Sequence, residues 1–196
     1  MRFLKFLIII SILLFPGIKG CYHPNHSSVI KLDCTKYSPA KKIPETPGII
    51  IISSNCSDYQ FDKSATKLAL DIFVENYSSE FEISELSVWG SLRDLKIEVS
   101  AIPRTVHAAY DLNGKPLKGK VPVSGLALRK DWIWVEIKTS QIWSSALVHE
   151  LVHIIIWRQN NVHGDPDHEG KEFSGWTKKH TQLIKKINLI LLDAEI

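Results

Sequence analysis

The stretch from Ala146 to Trp157 holds twelve residues, of which only His149, Glu150 and His153 are polar. Apolar side chains therefore occupy nearly every face of a helix formed there. A helix from about Gln141 to Arg158, opened by Thr139 or Ser140, is expected to be buried in the protein. Two imidazoles and a carboxylate are costly inside such a helix unless they are paired. Residues four apart share one helix face, so His149 and His153 can point at a single metal ion. Glu150 lies one position along, within reach of a water at that ion without being a ligand. Zinc lowers the pKa of such a water towards about 7, and a carboxylate beside it can accept the proton and pass it on. The spacing thus names His149 and His153 as Zn2+ ligands and Glu150 as the catalytic base.

Zinc needs a third protein ligand, and the segment after the helix offers one. Asn160-Asn161-Val162-His163-Gly164-Asp165-Pro166-Asp167-His168-Glu169-Gly170 contains Gly164 and Pro166, which mark a turn. A reversal there brings His168 to the start of a last helix, and His168 is the expected third ligand. His163, Glu169 and Glu172 are the other candidates. Asp165 and Asp167 are suited to orienting a ligand histidine through its second ring nitrogen.

The rest of the chain reads as an α+β arrangement. Gly48 to Ser54, with four consecutive isoleucines, has the character of a buried strand. From Ser64 to Tyr77 apolar residues recur at helical spacing, with Asp62 or Ser64 as the cap. Leu95, Ile97 and Val99 alternate with Lys96, Glu98 and Ser100 as in a half-buried strand ended by Pro103. Val106, Ala108 and Tyr110, then Val121 to Leu128, then Trp132 to Ile137 are further strands, and Asn113-Gly114 is a tight-turn signal. An amphipathic helix is expected from about Lys171 to Leu191. The order places the central helix against a sheet. His107 and Tyr110 lie on a strand where a packing role outweighs one in stabilising an oxyanion, and the tryptophans at 132, 134, 143 and 157 are expected in the core.

The His149-Glu150-Leu151-Val152-His153 motif resembles that of the zincin-type metallopeptidases. The stretch Asp167-His168-Glu169-Gly170-Lys171-Glu172-Phe173, followed by Trp176, looks like the third-ligand segment of SprT-like zincins, in which a histidine-glycine pair precedes a helix bearing an aromatic. Here Glu169 stands between the histidine and the glycine, so the likeness is loose outside the HExxH motif itself. It covers about Ala146 to Trp176. The metzincin pattern is not met, because Ile156 and Gln159 occupy its glycine and histidine positions and the only methionine is Met1. A thermolysin-like pattern would use Glu172 and leave His168 without a role. The resemblance implies a zincin-like twisted mixed sheet with the active-site helix behind it. It also implies an edge strand, assigned to Trp132 to Ile137, that binds extended substrate by strand addition.

The first twenty residues read as a signal peptide. Arg2 and Lys5 precede an apolar run from Phe6 to Phe15 broken only by Ser11, about half the length of a membrane-spanning helix. Ile18-Lys19-Gly20-Cys21 resembles a bacterial lipobox, with Lys19 in place of the usual small residue, which implies a lipid on Cys21. Residues 21–47, with Pro24, Pro39, Pro44 and Pro47, then form a lipid-anchored tether, and 48–196 form the hydrolase domain. Of three cysteines, Cys34 and Cys56 remain as a disulfide in an oxidising compartment, and no CxxC pair is present for a thiolate metal site. Three of the 24 basic residues leave with the signal, so the mature chain balances 21 basic against 21 acidic residues. With no basic, aromatic-laced stripe, nucleic acid is not an expected partner.

The function expected is zinc-dependent hydrolysis of peptide bonds at a bacterial cell envelope. The partners are a protein or peptide substrate and, through the lipid, the membrane. Two alternatives share part of the chemistry: a non-catalytic zinc-binding envelope scaffold, and a zinc amidase acting on cell-wall peptides.

Overall fold

A computed structural model describes residues 38–53, 62–100, 102–106, 109–110, 116–117, 120–136, 145–161 and 175–194. Its centre is a five-stranded mixed sheet. β2 (Ile50–Ser53), β3 (Lys96–Ser100) and β9 (Trp132–Glu136) run parallel, and β1 (Lys41–Lys42) and β8 (Gly125–Arg129) close the two sides antiparallel, in the order β1-β2-β3-β9-β8. The parallel strands are buried on both faces, as such strands usually are. Glu98 and Ser100, expected on a solvated face, are accordingly buried.

Four helices lie among the described residues: α1 (Lys63–Phe81), α2 (Glu85–Ser91), α3 (Ser145–Asn160) and α4 (Lys178–Asp193). One apolar core joins Ile51, Ile97, Val99, Ile133 and Val135 of the sheet to Phe73 and Val74 of α1, Leu151 and Ile155 of α3, and Leu183 and Ile187 of α4. α1 begins where its cap was expected: the Asp62 carboxylate accepts the N–H groups of Ser64 and Ala65 at 2.8 and 3.0 Å. No helix among the described residues is long and apolar enough to cross a membrane.

The opposite face of the sheet carries the cross-strand row Ile52, Glu98, Trp134 and Leu126. The paired strands β4 (Arg104–Val106) and β7 (Val121–Val123) belong to the segment between β3 and β8, which also holds the short pair β5 (Ala109–Tyr110) and β6 (Pro116–Leu117). Arg104 reaches that face, with its guanidinium 4.7 Å from the Trp134 ring centre.

Several boundaries differ from those read in the sequence. The folded unit includes residues assigned to the tether: Ile43 is buried, Ser38 N–H donates to Ser53 O at 3.0 Å, and Ser53 N–H donates to Ser38 Oγ at 2.8 Å. Prolines 39, 44 and 47 flank these contacts rather than prevent them. Gly48 closes the turn into β2 at φ +82°, where a Cβ would also collide with the Asp94 carboxylate. Val121 to Leu128 is two strands, β7 and β8, that pair in different sheets. The last helix starts at Lys178, after an extended Thr177 whose N–H donates to His180 Nδ1 at 3.0 Å. α2 has only seven residues and carries no periodic signal of its own.

The edge strand is also reassigned. Trp132–Glu136 pairs on both sides, with β3 and with β8, so it is an inner strand; Gly125–Arg129 is the edge. Apolar content does not separate the two, because the edge strand also packs apolar side chains on both faces, Leu126 buried on one and Ala127 partly buried on the other.

Candidate active site

α3 packs against β8 and β9 on one side and α4 on the other. This buries residues 150–156 of the helix completely or nearly so, including Glu150 and His153 at 5% exposure each, while His149 is half-buried. The two imidazoles face each other as their spacing requires, with Nε2 atoms 3.0 Å apart and ring centres 4.8 Å apart.

That pair fits a shared zinc ion. Two nitrogens at this separation, each about 2.05 Å from one ion, subtend about 95°, and an opening of about 0.3 Å gives the tetrahedral angle. Among the described residues no group of three or more His, Cys, Asp or Glu side chains comes together as a metal site. The third-ligand candidates His168, His163, Glu169 and Glu172, and the orienting candidates Asp165 and Asp167, all lie outside the described residues. So do Cys21, Cys34, Cys56 and His107; Tyr110 is on β5.

Glu150 turns towards the edge strand instead of joining the imidazoles. Gly125 lies over its side chain, and the backbone at Ala127 favours the ionised carboxylate. Loss of solvent pushes the carboxyl pKa up to about 8, and the polar backbone at Ala127 opposes that rise. In the metal-free protein this group therefore holds a proton at neutral pH. A dication nearby would favour its release.

Trp176, two residues before α4, covers both imidazoles, its ring centre 5.0 Å from that of His149 and 4.7 Å from that of His153. Its Nε1–H donates to Thr181 Oγ1 at 3.1 Å, which ties the indole to the first turn of α4. Behind it sits His180, buried, stacked on Phe81 at 4.3 Å between ring centres and with Nε2 3.3 Å from the Tyr77 hydroxyl. Because Nδ1 accepts the Thr177 N–H, the ring proton belongs on Nε2 and faces Tyr77. Burial lowers the His180 pKa to about 4.

Sequence reasoning therefore located three of the side chains gathered here, named Trp176 only as the aromatic after the third-ligand segment, and missed the rest. A signal for Gly125 was present, since a lone glycine inside an apolar strand run often marks a close backbone approach. A signal for His180 was present too, since it stands three, four and seven residues before Leu183, Ile184 and Ile187, on the apolar face of the last helix. Comparison of the chain with known family models, with curated proteins and with solved structures finds no match.

Proposed function

We propose that the protein is a zincin-like zinc metallopeptidase, exported and held at a bacterial envelope by a lipid on Cys21, with Cys34 and Cys56 joined as a disulfide. The observation that carries the catalytic reading is the pair of Nε2 atoms 3.0 Å apart on a buried helix, with a carboxylate from the intervening turn lodged against the sheet edge. Burying two imidazoles and a carboxyl in an apolar helix is costly, and metal chemistry gives that cost a purpose. The export and anchoring part is supported by the charged start, short apolar run and Cys21 context alone.

His149 and His153 would hold the ion, with His168 as the third ligand. When bound, zinc supplies Lewis acidity, polarising a carbonyl and making a water acidic near neutral pH. Glu150 then takes the proton of the attacking water on its carboxylate and delivers it to the leaving amine. Trp176 covers the imidazoles on one side and limits their rotation. β8 offers an outer edge to which, among the described residues, no other strand is paired. An extended peptide laid there would run beside Glu150.

The test is zinc stoichiometry and hydrolysis of casein and peptide libraries by the mature chain, beside Glu150→Gln, His153→Ala and His168→Ala. One zinc per chain, activity abolished in Glu150→Gln with zinc retained, and zinc lost from both histidine variants are expected. Stoichiometric zinc without turnover of any substrate would favour a binding scaffold, and turnover confined to cell-wall peptides an amidase. Absence of zinc binding would overturn the reading.

A further inference from the structure

Gly125 and Glu150 come closer than any side chain larger than hydrogen would allow. A methyl group built on Gly125 would lie 2.6 Å from Glu150 Oε1, 2.8 Å from Cγ and 3.0 Å from Cδ. Carbon atoms in good contact sit about 3.5–4.0 Å apart, so all three contacts are overlaps. Cγ is not the free end of the side chain, and moving it means turning the whole group about its first torsion. Glu150 has little room for that, being 5% exposed on a helix whose neighbours Val148 and Leu151 are fully buried. The contrast within the molecule is Gly90 of α2, where an added methyl meets nothing within 4 Å. Gly125 is not in the left-handed region, where Gly48 is the only described glycine. Its backbone therefore accepts alanine, and the demand at this position is for space.

We infer that Gly125 is the positioning residue for Glu150: its missing side chain on the edge strand is the slot in which the carboxylate rests. The inference rests on the metallohydrolase reading for its catalytic meaning, while the slot itself is a property of the metal-free chain. Because β8 is also the sheet edge, a single rigid element sets the base relative to anything bound along that edge. A displacement of about 1 Å is enough to lower a catalytic rate about a hundredfold.

The first experiment needs neither metal nor substrate. Thermal unfolding of the metal-free full chain is compared for Gly125→Ala, Glu150→Ala, the double variant and the parent. Gly125→Ala should lower the midpoint by several degrees in the parent, and should have no such effect once Glu150 is truncated, because the colliding atoms are gone. Equal losses in both backgrounds would overturn the slot. Should Gly125→Ala fail to fold alone, folding of the double variant supports the inference, and failure of both overturns it. In the zinc-loaded chain Gly125→Ala should keep its zinc and lose about a hundredfold in kcat with KM changed by less than about twofold, while Gly90→Ala behaves as the parent. An unchanged kcat in Gly125→Ala overturns the positioning role if Glu150→Gln is inactive. Activity retained in Glu150→Gln, or no zinc binding at all, instead overturns the metallohydrolase reading, and the unfolding comparison still decides the slot.

Discussion

Arg104 Nη2 donates to Glu98 Oε1 at 2.7 Å, and the two side chains are 5% and 0% exposed on the sheet face opposite α3. Glu98 Oε2 also accepts Trp132 Nε1–H at 2.9 Å. The pair pins the segment between β3 and β8 to the back of the sheet. Removing one partner leaves a buried charge uncompensated, so Arg104→Ala is expected to destabilise the fold by about 3–5 kcal/mol. Replacing both with apolar residues of similar volume should cost much less than the two single changes together. Urea unfolding of the three variants checks this, and simple additivity would contradict it.

His180 makes stability depend on acid. Its folded pKa, about 4, lies below the ordinary 6.5 because burial penalises the imidazolium. Between these values the unfolded chain binds the proton and the folded chain does not, so the contribution is complete above about pH 6.5 and fades as pH falls towards 4. Protonation would also take the lone pair on Nδ1 that accepts the Thr177 N–H. Melting temperatures measured from pH 7 to 4 should fall, and a His180→Gln variant should show a shallower slope over that window. Parallel slopes would argue that His180 is not the group responsible.

Glu150 works in the opposite sense. Its carboxyl is raised from 4.5 to about 8 by burial, so the metal-free fold is favoured below about pH 4.5 and loses that advantage as pH rises through 8. Zinc binding should expel the proton, since the ion favours the carboxylate. Calorimetric titration at pH 7 in buffers of different ionisation enthalpy should therefore find more protons released by the parent than by Glu150→Gln. Equal release would mean that Glu150 does not feel the ion.

Trp176 is expected to matter for metal retention through packing alone. With its indole within about 5 Å of both imidazole centres, Trp176→Ala frees the rings to rotate and should weaken zinc binding about tenfold, the lower end of what supporting contacts at metal sites contribute. Trp176→Phe should retain most of the affinity. Competition with a chromogenic chelator measures both, and equal affinity in all three proteins would remove Trp176 from the site.

The pairing of His149 with His153 was legible in the sequence because it is a local matter: a helix of 3.6 residues per turn puts positions four apart on one face wherever it packs. The burial of α3, the Asp62 cap and the buried strand at Ile50–Ser53 were legible for the same reason, as each follows from patterns within one segment. The edge strand, the slot at Gly125, the indole over the imidazoles and the Arg104–Glu98 pair were decided by tertiary structure. Strand order depends on partners far apart in the chain, and an inner strand such as Trp132–Glu136 and an edge such as Gly125–Arg129 have similar apolar content. The glycine signalled a close approach without naming Glu150 as what approaches. Residue types and helical spacing thus selected the chemistry open to this protein, while packing between distant segments decided which backbone holds the base and which ring covers the ligands.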